Sequence, residues 1–156
     1  MFQALASTDA GVILMHMRGD PDTMRSLTDY NDVVEDVRTW LGGRIDAAVA
    51  AGIDRERLAV DPGLGFAKTT PQSLSLMREI ERFGVLGRPV VVGPSRKSFV
   101  GHATGTDIDE RLEGTAGAVA WLAANGADVV RVHDVREMVR VVRMVDAIRH
   151  GDVETS

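Results

Sequence analysis

The sequence of 156 residues is 44% hydrophobic and 26% charged and contains no cysteine, which predicts one soluble globular domain and excludes disordered, fibrous and disulfide-stapled proteins. Eighteen Lys and Arg residues against 23 Asp and Glu residues give a net charge of -5, so neither nucleic acid nor an anionic membrane is an expected partner. The first residues lack the basic and apolar regions of a signal peptide, and we expect a cytoplasmic protein.

The first predicted unit is a short strand, a loop and a long helix. The apolar run Val12–Met15 predicts the strand, and a polar loop covers 18–29. Gly52 marks the end of the helix, and Gly42-Gly43 would weaken its middle by about 1 kcal/mol per glycine relative to alanine. The residues expected to face the core recur at helical spacing: Val33, Val37, Leu41, Ile45 and Val49.

The second unit contains the best-signalled helix of the chain. An apolar strand over 58–60 enters a turn that begins at Asp61 and reads Asp-Pro-Gly-Leu-Gly. The helix is predicted to begin with Thr70 as N-cap and Pro71 in its first turn, and to end before Gly84. Its inward face is formed by Leu74, Met77 and Ile80.

The third and fourth units repeat the pattern. A strand over 89–92 precedes a polar loop over 102–109 and a helix over 110–125, and a strand over 129–133 precedes the last helix. Asp134 and Glu137 resemble a capping box that opens this helix. Its predicted inward residues are Met138, Val141, Val142, Val145 and Ile148.

Four short apolar strands that alternate with helices predict an α/β fold of four βα units with a parallel sheet. A doubly wound domain has this pattern, and so does half of a (β/α)₈ barrel, since a whole barrel needs about 250 residues. Periodicity alone leaves both architectures open.

Residues able to do chemistry lie where the strands end, which is where α/β folds bind ligands. A carboxylate at Asp61 could accept two hydrogen bonds from an amino-pyrimidine edge. Asp-Pro-Gly is also common turn chemistry. Spacing alone therefore leaves a binding role and a turn-capping role equally open for Asp61.

Basic residues follow the third and fourth strands. Ser95, Arg96 and Lys97 have the composition of an anion or polarised-carbonyl site, although most such clusters are solvated loops. Arg131 and His133 are two residues apart and so share one face of a strand. A charge inside an apolar strand is costly unless it meets an anion or a carboxylate, which favours a binding role for this pair.

Several common catalytic patterns do not occur in the sequence. It contains no HExxH motif, nucleophile elbow, glycine-rich phosphate loop or Cys/His zinc spacing. These observations exclude the common hydrolase, nucleoside-triphosphate and zinc-site interpretations.

Five motifs, in family order over nearly the whole chain, resemble the C-terminal part of dihydropteroate synthases. They are Leu14-Met15-His16-Met17-Arg18-Gly19 with Pro21 and Met24, Asp61-Pro62-Gly63-Leu64-Gly65-Phe66-Ala67-Lys68, Gly93-Pro94-Ser95-Arg96-Lys97-Ser98-Phe99, Gly114-Thr115-Ala116, and Arg131-Val132-His133-Asp134-Val135. The resemblance implies a (β/α)₈ barrel that joins 6-hydroxymethyl-7,8-dihydropterin diphosphate to 4-aminobenzoate and releases pyrophosphate in folate biosynthesis.

The resemblance also implies a role for each matching residue. Lys97, Arg131 and His133 would be catalytic, with Arg131 and His133 holding the diphosphate. The pterin would contact Asp61, Lys97, Met15 and Phe66. The aminobenzoate would lie beside Ser95, Arg96 and Lys97.

The match begins at the family's fifth strand, so we expect residues 1–150 to form a partial barrel with a polar tail over 151–156. The first four strands, two mobile loops and the Asn that ligates Mg²⁺ in the family are not among these residues, so Mg²⁺ is implied without a ligand here. A half barrel exposes sheet edges and an apolar face. We therefore expect little activity from this chain alone and pairing with a second copy or with an N-terminal half. A pterin-binding domain without catalysis, or a purely structural role beside such a half, remains an alternative.

Overall fold

Four short strands alternate with helices in the computed structural model, which describes residues 2–151. In chain order these elements are α1 (Phe2–Ala6), β1 (Val12–Met15), α2 (Val33–Ala50), β2 (Leu58–Asp61), α3 (Thr70–Arg78), β3 (Val91–Val92), α4 (Ser98–Thr104), α5 (Leu112–Ala124), β4 (Val129–Val130) and α6 (Val135–His150). Short 3₁₀ helices lie at Met24–Ser26, Arg55–Arg57, Ile80–Leu86 and Ile108–Glu110. Most of the predicted polar tail, residues 152–156, lies outside the described residues, as does Met1.

The strands run parallel, as the sequence predicts. β1 pairs with β2 so that Met15 lies opposite Asp61, and β3 pairs with β4. A single bridge between Val60 and Val90 connects the two pairs, and the Val60 N–H donates to the carbonyl of Pro89 at 2.9 Å. Parallel pairing brings the carboxyl ends of all four strands to one edge, where the predicted site residues lie.

Helix α2 covers the sheet with the predicted inward residues Val37, Leu41 and Ile45, and its stripe differs from the prediction only at the two ends. The Asp32 side chain caps the helix by accepting from the N–H groups of Val34 and Glu35. Val49 is exposed, although it was predicted to face inward, and the helix continues through Gly42-Gly43. The residues that pack inward are Val34, Val37, Leu41, Ile45 and Ala48.

Helix α3 begins one residue earlier than predicted. Thr69, and not Thr70, is the N-cap: the Gln72 N–H donates to the Thr69 hydroxyl and the Gln72 side chain accepts from the Thr69 N–H. This reciprocal capping box satisfies two N–H groups that the helix itself leaves unpaired. The chain then continues past Gly84 as a 3₁₀ helix and ends it at Gly87, which has a φ of +64°.

The rest of the chain shows further differences from the prediction: β4 ends at Val130 and does not extend to residue 133. Helix α4 occupies Ser98–Thr104, which includes part of the expected polar loop. In α6 only Met138 is buried, while Ile148 is 71% exposed although it was predicted to face inward. The physical reason is that α6 packs chiefly against α5, so most of its apolar side lies at the edge of the fold.

One apolar cluster lies between the strands and the helices. Its largest fully buried members include Leu41, Ile45, Leu58, Leu64, Leu76, Ile80, Phe83 and Leu122. This cluster supports the ends of the strands, where the candidate site lies. Among residues 2–151, no helix has both the length and the apolar character that crossing a bilayer requires.

Candidate functional site

A pocket of about 460 Å³ opens beside the ends of the strands. Six of the predicted site residues line it: Phe66, Ser95, Arg96, Lys97, Arg131 and His133. Gly93 and Ile108 complete its wall. Asp61 and Met15 are not among the lining residues; they end β2 and β1 and lie opposite each other in the strand pairing. A second pocket, between α5 and α6, is mainly apolar and is lined by none of the predicted site residues.

Asp61 is a buried carboxylate, only 5% exposed. Its Oδ1 accepts a hydrogen bond of 2.7 Å from the Gly63 N–H, so the predicted turn-capping role is present. Burial raises the pKa of Asp61, while this hydrogen bond and the positive charges of Lys97, Arg131 and Lys68 act in the opposite direction. No hydrogen bond from residues 2–151 reaches Oδ2, so capping and ligand binding are compatible.

The segment 61–68, which we call the Asp61 loop, packs tightly on the end of β1. Gly63 has a φ of +69°, and a Cβ built at this position would lie 2.0 Å from the carbonyl oxygen of His16. Only glycine fits such an approach between two backbone segments. The loop therefore depends on Gly63 to place Asp61 and Phe66 where they are.

Lys97 connects the Asp61 loop to the loop that follows β3. Its Nζ donates to the carbonyl of Leu64 at 2.5 Å and lies 4.4 Å from the centroid of the Phe66 ring, a cation–π distance. The pKa of Lys97 is lowered to about 8, chiefly by burial; Asp61 opposes this shift and Arg131 adds to it. At neutral pH this amine is mostly charged and can bind an anionic or carbonyl group.

Ser95 orients His133. The His133 N–H donates to the Ser95 hydroxyl at 3.1 Å, and the same hydroxyl lies 2.9 Å from His133 Nδ1. Because the Ser95 oxygen already accepts one hydrogen bond, its own hydrogen is available to Nδ1. In that arrangement Nε2 carries the ring proton and can donate to a ligand.

Arg131 lies against the turn that follows β3. A Cβ at Gly93 would be 3.2 Å from Arg131 Nη2, so the absent side chain leaves room for the guanidinium group. The Arg131 N–H donates to the carbonyl of Val92 at 2.8 Å. The pocket thus contains the planar guanidinium of Arg131, a residue whose backbone is held by β3. A planar guanidinium is suited to binding phosphate oxygens.

Arg96 has a partner within the protein. Its guanidinium forms a two-point ion pair with Asp134, with Nε to Oδ2 at 3.0 Å and Nη2 to Oδ1 at 2.5 Å. This pair lowers the pKa of Asp134. Asp134 occupies the predicted N-cap position of α6, but the predicted capping box with Glu137 is absent, because the Asp134 side chain binds Arg96 and accepts no helix N–H.

The backbone of Arg96 is held as firmly as its side chain. It has a φ of +57°, its N–H donates to the Thr115 hydroxyl at 3.2 Å, and its carbonyl accepts from Arg111 at 2.9 Å. These contacts give the Gly-Thr-Ala motif of α5 a structural role that sequence reasoning did not assign.

Sequence reasoning also gave no role to Lys68, which is 8% exposed. Its Nζ lies 2.9 Å from His16 Nδ1 and donates to the carbonyl of Phe66 at 2.9 Å. Composition carried a signal for it: the chain has only two lysines, Lys68 and Lys97, among its 18 basic residues. Both act electrostatically on Asp61.

The described residues do not form a metal site. Within residues 2–151, no three His, Asp or Glu side chains come close enough together to hold an ion. Mg²⁺ prefers several oxygen ligands in octahedral geometry, and these side chains do not fit that requirement.

Comparison with known proteins gives a consistent result. The chain is 43% identical over 144 residues to dihydropteroate synthase of Synechocystis, covering 92% of this chain and 50% of the relative. The solved structure of Yersinia pestis dihydropteroate synthase in complex with a sulfonamide drug superposes with a TM-score of 0.93 at 34% identity, covering 97% of this chain and 55% of that one.

A second solved structure, Xanthomonas albilineans dihydropteroate synthase with 4-aminobenzoic acid, has a TM-score of 0.89 at 39% identity, covering 96% of this chain and 53% of that one. The chain spans about half the length of the curated relatives it matches. The family model described as pterin binding enzyme matches residues 1–133. The chain therefore belongs to the pterin binding enzyme family.

Proposed function

We propose that this chain supplies the substrate-binding strand ends of a dihydropteroate synthase. The reaction would join 6-hydroxymethyl-7,8-dihydropterin diphosphate to 4-aminobenzoate and give 7,8-dihydropteroate and pyrophosphate. The observation that carries the proposal is the single pocket in which Lys97, Arg131 and His133 converge beside a buried carboxylate, Asp61. The similarity to proteins named dihydropteroate synthase supports it.

The chemistry requires positive charge for the leaving group and a hydrogen-bond acceptor for the pterin; the pocket offers the first, and Asp61 at the end of β2 would offer the second. The bond between the pterin methylene carbon and the diphosphate oxygen breaks, and its electron pair leaves with pyrophosphate. The amine of 4-aminobenzoate then forms the new C–N bond and releases a proton. Arg131 and His133 would stabilise the growing negative charge on the leaving group, while Asp61 would accept hydrogen bonds from the amino edge of the pterin.

The second substrate would lie between Phe66, Lys97 and Ser95. The Phe66 ring is already held by the cation of Lys97, so an aromatic ring could pack beside it without further ordering of the wall. Arg96 would act mainly through the shape of the loop, because its guanidinium is paired with Asp134. Orienting the amine toward the methylene carbon would be the main contribution of this part of the pocket.

We further propose that the four parallel strands correspond to strands five to eight of a (β/α)₈ barrel. Ile13 and Val129 are exposed apolar residues on β1 and β4, and in such a barrel other strands would cover them. When the chain is purified alone, we propose that a second copy of it covers these exposed strands. Light scattering should then give the mass of a dimer, and a stable monomer would contradict the pairing.

Magnesium is implied by the resemblance alone. Residues 2–151 do not converge on a metal site. The roles proposed for Arg131, His133 and Asp61 therefore do not depend on the ion. Any Mg²⁺ that takes part would need ligands from outside this set of residues.

The test is an assay for 7,8-dihydropteroate formation from the two substrates, with calorimetric titration of each substrate in parallel. Synthesis that depends on both substrates and falls in an Arg131→Met variant supports the proposal. Tight binding of the pterin diphosphate without synthesis favours a second candidate, a pterin-binding half barrel, which the half-length match makes reasonable. No binding of either substrate contradicts both.

A further inference from the structure

His16 makes three separate contacts with the Asp61 loop. Its N–H donates to the carbonyl of Asp61 at 2.9 Å, its own carbonyl oxygen fills the space where a Cβ of Gly63 would lie, and its Nδ1 lies 2.9 Å from Lys68 Nζ. His16 is only 2% exposed. The two ends of the Asp61 loop are therefore tied to one residue of the β1 end.

The third contact is made by side chains. Lys68 Nζ reaches two acceptors, His16 Nδ1 and the carbonyl of Phe66, each at 2.9 Å. The pKa of His16 is lowered to about 3, chiefly by burial and also by the charges of Lys68 and Arg18. The imidazole is therefore neutral at physiological pH and can accept at Nδ1.

The ring of His16 is fixed from its other side. It packs edge-on against Trp40, with ring centroids 4.9 Å apart, and lies 6.0 Å from Tyr30. The Tyr30 hydroxyl donates to the carbonyl of Ala67 at 3.0 Å. Because neighbouring aromatic rings restrict the imidazole, Nδ1 is held at a defined position beside Lys68.

The choice of lysine at position 68 is informative. The chain uses arginine for 16 of its 18 basic residues, including those of its ion pairs. Lysine places a compact amine on a flexible stem, and here that amine reaches two acceptors at a buried position. Donating to two acceptors compensates the burial of such a polar group.

We propose that Lys68 is a positioning residue: by bridging His16 and the Phe66 carbonyl, it holds the Asp61 loop in the form that presents Asp61 and Phe66 to the pterin. That the ligand is a pterin rests on the proposed function. The holding of the loop rests on the contacts alone.

Four variants of the 156-residue chain test this role. Lys68→Met keeps the length of the side chain and removes its donor. His16→Leu removes the acceptor, whereas His16→Asn restores one, because the amide oxygen of Asn is bonded to Cγ as Nδ1 is. Leu122→Ala is the control, since Leu122 is fully buried in α5, outside the segment 61–68, and its truncation is expected to lower the stability of the whole fold.

Two measurements are compared across these variants. Amide hydrogen exchange reports the Asp61 loop without any ligand: Lys68→Met and His16→Leu should speed exchange within 61–68 by about tenfold, and His16→Asn should restore slow exchange. Calorimetry then compares 6-hydroxymethylpterin with inorganic pyrophosphate. The pterin should bind about tenfold more weakly to Lys68→Met, while pyrophosphate binding should stay within about twofold.

The outcomes separate the two proposals. Unchanged exchange in both Lys68→Met and His16→Leu, or equally fast loop exchange in Leu122→Ala, would overturn the positioning role. Normal pterin affinity in Lys68→Met despite faster exchange would overturn it as well. A wild-type chain that binds no pterin would contradict the proposed function, and the exchange rates would still decide whether Lys68 holds the loop. If Lys68→Met does not fold, the His16→Leu and His16→Asn pair decides the question.

Discussion

Replacing Lys68 with Met is expected to change how the stability of this protein depends on pH. The pKa of Lys68 is lowered from 10.5 to about 7 in the folded chain, chiefly by burial and also by the charges of Lys97 and Arg18, while Asp61 opposes the shift. Between these two values the unfolded chain retains a proton that the folded chain has lost. The unfolding free energy contributed by this group therefore rises with pH across that window, by about 1.4 kcal/mol per unit at most.

The size of the effect follows from the two pKa values. Integrated from pH 7 to pH 9, Lys68 contributes an increase of about 2 kcal/mol in unfolding free energy. Lys97, whose pKa is lowered to about 8, contributes about 1 kcal/mol over the same interval. His16 contributes almost nothing there, because its folded pKa of about 3 and its ordinary value of 6.5 both lie below pH 7.

The assay is urea unfolding at pH 7 and pH 9 and constant ionic strength, for the wild type and for Lys68→Met. Other groups also titrate in this range, so the informative quantity is the difference between the two pH dependences. We expect the wild type to gain about 2 kcal/mol more than the variant on going to pH 9. Lys97→Met is the matched control and should remove a smaller part of the gain. Equal pH dependence in wild type and Lys68→Met would refute the reasoning.

Two further predictions concern other parts of the site. Gly63→Ala should lower the unfolding free energy by more than about 3 kcal/mol, because its Cβ would lie 2.0 Å from the His16 carbonyl oxygen at a positive φ. Gly84→Ala is the control and should cause no comparable loss, since a Cβ there meets no atom within 4 Å. Equal losses in the two variants would contradict the close packing at Gly63. Asp134→Asn should leave the midpoint of urea unfolding nearly unchanged, because the ion pair is partly exposed to solvent. By releasing Arg96 it should tighten pyrophosphate binding in calorimetry several-fold, and weaker binding would contradict this account.

The sequence predicted the elements that local signals specify. The apolar run Val12–Met15 is a strand with the predicted bounds, and helix α3 begins within one residue of the predicted cap. Residues that follow parallel strands had to meet at one edge, which is why Lys97, Arg131 and His133 were expected together and line one pocket. Periodicity and strand ends are local properties, so one sequence is sufficient to find them.

The differences arise where tertiary contacts decide. Asp134 precedes a helix and has the residue type of an N-cap, but Arg96 lies close enough in the fold to take its carboxylate. Ile148 continues the apolar stripe of α6, but none of the described residues covers this end of the stripe, and Ile148 is exposed. Lys68 and His16 are 52 residues apart, and no spacing rule joins two such positions; the scarcity of lysine was the only signal in the composition.

The central claim is that a buried carboxylate and a cationic pocket bind the two ends of one substrate. Calorimetric titration of wild type and Asp61→Asn with 6-hydroxymethylpterin and with pyrophosphate tests it most directly. We expect Asp61→Asn to weaken pterin binding by about 2 kcal/mol or more and to leave pyrophosphate binding intact or slightly stronger, since a negative charge is removed near Arg131. Equal pterin affinity in the two proteins would reduce Asp61 to a turn residue and contradict the claim.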